Sequence, residues 1–141
     1  MKVIIAGGRD FTDYDFLADC ANVVLDSYPL DDGDSFQFVS GNARGADKLG
    51  EEFALSYHRF LSTVFKPDYE NDPPRLAPLR RNRHMAEYAM GGILIAFLKN
   101  DVEYGERGGG TWAIKGGTSN MIMNALSHGM DVHIFRYGPE G

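Results

Sequence analysis

Val39-Ser40-Gly41-Asn42-Ala43-Arg44-Gly45-Ala46-Asp47 lies where one kind of residue pattern gives way to another. An apolar run, Phe36 to Val39, stops at small residues, and a helical pattern begins a few positions later. That is a strand-loop-helix junction. With no large side chain at Gly41, Ala43, Gly45 or Ala46, a ligand can approach the backbone and take hydrogen bonds from the unpaired N–H groups of the first helical turn. Those groups, with the positive end of the helix dipole, favour an anion, most often a phosphate. The same residues also read as a plain helix start with Asn42 as its cap.

Downstream, Ala46, Leu49, Gly50, Phe53, Ala54 and Tyr57 recur at helical spacing, which predicts a helix packed on a sheet, and Leu61 to Phe65 supplies a short third strand. Upstream, Lys2 to Ala6 reads as a buried strand running into Gly7-Gly8-Arg9-Asp10-Phe11, a tight turn with a charged tip and a second junction of the same kind. Thr12-Asp13-Tyr14-Asp15 resembles a capping box, with Asp15 where Glu or Gln is usual. Leu17, Cys20, Ala21, Val24, Leu25 and Tyr28 follow on one helical face, predicting a helix from about Asp13 to Tyr28. Two strand-helix-strand units in succession imply a parallel sheet with right-handed crossovers, whose ligands bind outside the carboxyl ends of the strands.

In the second half, residues 66–78 are Pro-rich and polar and read as an irregular loop feeding a helix at about Leu79 to Met90. Arg80-Arg81-Asn82-Arg83 falls in the first turn of that helix, where basic residues oppose the dipole and are better explained by an anionic ligand; Arg75 extends the same basic cluster. Ile93 to Phe97 reads as a central strand, and 99–115, with Gly105, Gly108-Gly109-Gly110 and the lone Trp112, as an irregular flap or insertion. Gly116-Gly117-Thr118-Ser119-Asn120 opens the last helix, with Thr118 or Ser119 as cap and Ile122, Ala125, Leu126 and Gly129 facing inward. Asp131 to Phe135 closes a five-stranded, mainly parallel sheet, after which Arg136 to Gly141 is expected to fray.

Composition narrows the function classes. The 141 residues, 43% hydrophobic, suit one domain covering 1–141. No apolar run approaches the roughly 18 residues of a membrane span, and with Cys20 as the lone cysteine the expectation is a protein of the reducing cytoplasm, off the membrane. A net charge of −6 disfavours an extended nucleic-acid partner, because that affinity comes from neutralising backbone phosphates. His58, His84, His128 and His133 are not spaced as metal ligands, so no metal site is expected. Neither a Gly-x-Ser-x-Gly elbow nor a Gly-x-x-x-x-Gly-Lys-Ser/Thr loop occurs. Three Gly-rich junctions after successive strands, with an Arg-Asn cluster before a fourth, point instead to a site on one rim of the sheet.

Gly7-Gly8-Arg9-Asp10-Phe11, Ser40 to Asp47, Arg81-Asn82-Arg83-His84-Met85 and Gly117-Thr118 ahead of a helix together resemble, in order and over nearly the whole chain, the small stand-alone SLOG-type proteins. These are related to the lysine-decarboxylase-like LOG phosphoribohydrolases and to the DNA-processing protein DprA. The resemblance implies a Rossmann-like three-layer sandwich, a nucleotide or nucleotide-derived ligand with no other cofactor required, and, together with the methionines, a homo-oligomer. One departure bears on mechanism. The LOG hydrolases carry Pro-Gly-Gly-x-Gly-Thr-x-x-Glu, whereas here Lys115 stands for the Pro and Met121 for the Glu; alignment through Gly109-Gly110-Thr111 puts Ile114 at the acid's place.

Chemistry and resemblance together suggest the site. Gly7, Gly8, Arg9, Ser40, Gly41, Asn42, Ala43, Gly116, Gly117, Thr118 and Ser119 are expected around the ligand, with backbone N–H groups of Gly8, Gly41, Asn42, Gly117 and Thr118 on phosphate. Arg81 and Arg44 would supply charge, Asp47 would accept from ribose hydroxyls, Asn82 would cap or hold the ligand, and Arg9 would pair with Asp10. The leading expectation is a sensor or sequestering protein. An N-glycosidase or phosphoribohydrolase acting on nucleoside monophosphates, with Asp10 or Asp47 as the candidate catalytic carboxylate, is the alternative, and DprA-like binding of single-stranded DNA a third.

Overall fold

The computed structural model describes residues 1–31, 33–58, 63–102 and 116–139. Among them, five strands alternate with four helices: β1 (Lys2–Gly7), α1 (Tyr14–Asp26), β2 (Gln37–Ser40), α2 (Ala46–His58), β3 (Thr63–Val64), α3 (Ala77–Tyr88), β4 (Ile93–Lys99), α4 (Gly117–Ser127) and β5 (Asp131–Tyr137). The sheet order is β3-β2-β1-β4-β5, and every pairing is parallel. This is an α/β, Rossmann-like sandwich of the expected kind.

The two central strands are apolar throughout because both of their faces are covered. Val3 and Ile5 of β1, with Ile93, Ile95 and Phe97 of β4, pack against α1 and α2. Ile4 and Ala6, with Leu94, Ala96 and Leu98, pack against α3 and α4. The helical faces read from spacing match this: Leu17, Cys20, Ala21, Val24 and Leu25 of α1 are all buried, as are Ala46, Phe53 and Ala54 of α2. Each such aliphatic or aromatic side chain contributes roughly 1.5–3 kcal/mol on full burial. Glycine lets α2 settle on the sheet, since a Cβ at Gly50 would lie 2.8 Å from the Ile5 Cβ.

Several boundaries differ from the sequence reading, each for a local reason. Asp13, not Thr12, caps α1, its carboxylate accepting the Phe16 N–H at 3.1 Å. Helix α3 starts two residues early, at Ala77, because Pro78 needs no hydrogen-bonded N–H in a first turn. Arg81, Asn82 and Arg83 therefore sit in its second turn. Helix α4 is capped by neither Thr118 nor Ser119: Gly116 is the cap residue, at φ +93°, and has no side chain to cap with. Leu126, expected inside, is 48% exposed. Strand β5 runs on through Arg136 and Tyr137, which pair with Leu98 and Lys99 instead of fraying. The insertion expected over 99–115 lies outside the described residues beyond Val102, as do Leu61 and Ser62 of the expected third strand.

Gly45 turns the chain into α2 at φ +79°, and a Cβ there would sit 2.2 Å from the Gly8 carbonyl oxygen. Backbone cannot retreat as a side chain can. Gly45→Ala is therefore expected to destabilise the fold by about 2–4 kcal/mol in urea denaturation. Gly117→Ala, with nothing within 4 Å of the added carbon, should stay within about 0.5 kcal/mol or gain slightly. Equal stability of the two variants would contradict the close approach at Gly45.

Candidate functional site

From β1 the chain winds through α1 to β2 and on to β3, then crosses back to β4 on the other side of β1. Where the winding reverses, the connections leave β1 and β4 in opposite directions and open a crevice at their carboxyl ends. A cleft of about 510 Å³ lies there, bounded by the β1–α1 turn, the start of α2, α3, the end of β4 and the start of α4.

Ala43 and Asp47, from the loop after β2, stand on one wall, and several N–H groups of that loop are already in use. The Asn42 N–H, at a backbone with φ +61°, donates to Ser40 Oγ at 3.1 Å, and the Ala43 N–H to Asp47 Oδ2 at 3.3 Å. The Ala46 N–H donates to the Gly8 carbonyl at 3.3 Å, and the Gly8 N–H to the Phe97 carbonyl at 3.2 Å. The expectation that Gly8 and Asn42 offer their N–H groups to phosphate is therefore corrected. This loop already holds an anion, the carboxylate of Asp47.

Asp47 is 6% exposed and lies on the cleft wall. Burial raises its carboxyl pKa to about 6, against the opposing pull of Arg81 and of the Ala43 N–H. A Cβ added at Gly41 would fall 2.8 Å from Asp47 Oδ2 and 3.1 Å from Arg81 Cζ, so Gly41 is needed where the two charged groups converge. Arg81 is 9% exposed; burial lowers its pKa while Asp47 opposes that shift. Its Nη1 donates to the Gly41 carbonyl at 2.7 Å and its Nε to Asn82 Oδ1 at 3.2 Å.

The opposite wall is the first turn of α4. Its first helical bond runs from the Asn120 N–H to the Gly116 carbonyl, leaving the N–H groups of Gly117 and Thr118 without an acceptor in the helix. Arg9 and Arg75 also line the cleft, both exposed, and neither makes an ion pair among the described residues. Asp10 does not pair with Arg9. Lys99 Nζ sits 2.6 Å from Asp10 Oδ2, and the Tyr137 hydroxyl donates to Asp10 Oδ1 at 2.6 Å. These contacts, Lys99 first, lower the Asp10 pKa, while burial and then Asp10 raise that of Tyr137.

Of the residues singled out from sequence, Gly7, Gly8, Arg9, Asp10, Ala43, Asp47, Arg81, Asn82 and Gly116 to Ser119 share the cleft. Ser40, Gly41, Asn42 and Arg44 do not line it: Ser40 donates to Glu51 Oε2 at 2.8 Å, Asn42 accepts from Lys48, and Arg44 is exposed. The basic cluster divides, with Arg80 paired to Asp72 and Arg83 placed 3.5 Å from Glu87, while Arg75 and Arg81 face the cleft. Lys99 and Tyr137 were missed because their strands were ended two residues early. Comparison of the chain with protein-family models, curated proteins and solved structures finds no match.

The raised Asp47 pKa makes stability depend on pH. The folded chain keeps this proton up to about pH 6, whereas the unfolded chain releases it near the ordinary carboxyl value of 3.8. Unliganded stability should thus fall as pH rises through that window, with an Asp47 contribution of about 3 kcal/mol. The difference between parent and Asp47→Asn, from urea unfolding at pH 4 and pH 7, isolates it. Equal pH dependence in the two proteins would contradict a buried, late-ionising Asp47.

Proposed function

We propose that the protein binds a nucleotide or nucleotide-derived small molecule in the cleft at the winding reversal, as a sensor or sequestering protein. The observation that carries this reading is positive charge, without an ion pair among the described residues, gathered in a concavity of a chain with net charge −6. Arg9, Arg75 and Arg81 line it together with the uncapped first turn of α4, while Lys99 is offset by Asp10. Guanidinium groups and a helix N-terminus share one preference, a phosphate. The cleft's volume, about 510 Å³, suits a ligand of nucleotide size. Pro78, Leu79, Met85, Leu98 and Met121 add an apolar side where a sugar or base can rest.

One observation favours a second reading, N-glycosidic hydrolysis of nucleoside monophosphates. Asp47 is a buried acid on the cleft wall with a pKa of about 6, suited to exchanging a proton near neutral pH. Asp10 is less suited, being held ionised by Lys99 and Tyr137. Hydrolysis predicts free base and sugar phosphate from nucleoside monophosphates, abolished by Asp47→Asn; parent protein that releases neither leaves the binding reading alone.

Calorimetric titration with AMP tests the leading reading. Arg9→Ala and Arg75→Ala, which break no ion pair among the described residues, should leave the melting temperature unchanged and weaken AMP binding roughly three- to tenfold each. Undiminished affinity in both variants, or no binding of any nucleotide by the parent, would count against it.

A further inference from the structure

Behind the cleft, α3 and α4 are joined by buried amides. Asn82, Asn120 and Asn124 are 3%, 0% and 6% exposed. Arg81 Nε can only donate, so the Asn82 oxygen must face it, at 3.2 Å, and the Asn82 Nδ2 hydrogens point the other way. Nδ2 donates to the Gly117 carbonyl at 3.1 Å and to Asn120 Oδ1 at 3.2 Å. Asn124 Nδ2 donates to the Asn120 carbonyl and to the same Oδ1, both at 3.0 Å. Both donors of Asn82 are thereby committed. It borders the cleft, yet has no hydrogen left to give a ligand.

What Asn82 touches are the two groups suited to an anion. Helix α4 has no side-chain cap, and Asn82 grips the carbonyl of its first residue from outside. Through Nε the same amide orients Arg81, a guanidinium nine-tenths buried whose Nη2 has no partner among the described residues. We infer that Asn82 is a positioning residue: bonded to both, it holds the Arg81 guanidinium and the first turn of α4 in place relative to each other for one phosphate, with Asn124 bracing the far side through Asn120. The inference rests on the nucleotide-binding reading above and adds the element that makes the site select phosphate.

The test separates phosphate recognition from general damage by comparing AMP with adenosine. In Asn82→Asp the acceptor facing Arg81 is kept, but the donors to Gly117 and Asn120 are lost. The preference for AMP over adenosine should drop at least tenfold, chiefly through weaker AMP binding. Asn124→Ala, outside the cleft and neutral, should reduce the preference about threefold and decides the matter, because the carboxylate of Asn82→Asp also repels phosphate by its own charge. Equal loss for AMP and adenosine, or a full preference retained in the folded variants, overturns the positioning role while leaving the nucleotide reading intact. A parent protein that binds adenosine and AMP equally overturns that reading, and the inference with it.

Discussion

A single carbonyl ties the two halves of the sheet's rim together. The Gly8 oxygen accepts both the Phe11 N–H, at 3.2 Å, and the Ala46 N–H, at 3.3 Å. The turn leaving β1 and the first residue of α2 are thereby fixed to one atom. Nothing larger than glycine fits at Gly45 beside it, and a Cβ at Gly7 would meet the Ala46 Cβ at 2.7 Å. The small residues of both motifs are thus explained first by packing. With α2 held this close, Asp47 is carried below the surface and the Gly41 carbonyl is presented to Arg81.

The electrostatics of the rim follow from that placement. Burying an ionised carboxylate or a guanidinium is costly unless each is paired and hydrogen-bonded. Asp47 meets the cost partly by holding its proton to about pH 6, and Arg81 by bonding to a backbone carbonyl and to Asn82. Neither device cancels the positive character of the cleft, which Arg9 and Arg75 reinforce. An incoming phosphate would complete the coordination of Arg81 and of the uncapped α4 turn together, and would hold the proton on Asp47 more firmly.

The fold was readable because its signals are periodic. Uninterrupted apolar strands such as Ile93 to Phe97 mark burial on both faces, and the spacing of Leu17 to Leu25 placed α1 on the sheet. The rim was legible only as a set of junctions. Sequence could not say whether an N–H at Gly8 or Asn42 would be taken by Phe97 or Ser40, since those bonds depend on strand register and a left-handed Asn42. Likewise Asp10 and Arg9 are adjacent in the chain, yet the partner of Asp10 is Lys99, 89 positions away, brought near by the pairing of β1 with β4. Asn82 was legible as a cap or ligand contact, but its bonds to Arg81, Gly117 and Asn120, and the burial of Asn120 and Asn124, depend on the packing of α3 against α4.

On the proposed reading a phosphate goes to the first turn of α4 and not to the Ser40–Asp47 loop. Amide chemical shifts followed by NMR while AMP is added to the protein test it most directly. Large, saturating shifts are expected at the Gly117 and Thr118 amides and at the Arg81 Nε–H, with the Asn42 and Ala43 amides little moved. Saturating shifts centred on Asn42 and Ala43, with Gly117 and Thr118 unmoved, would contradict it.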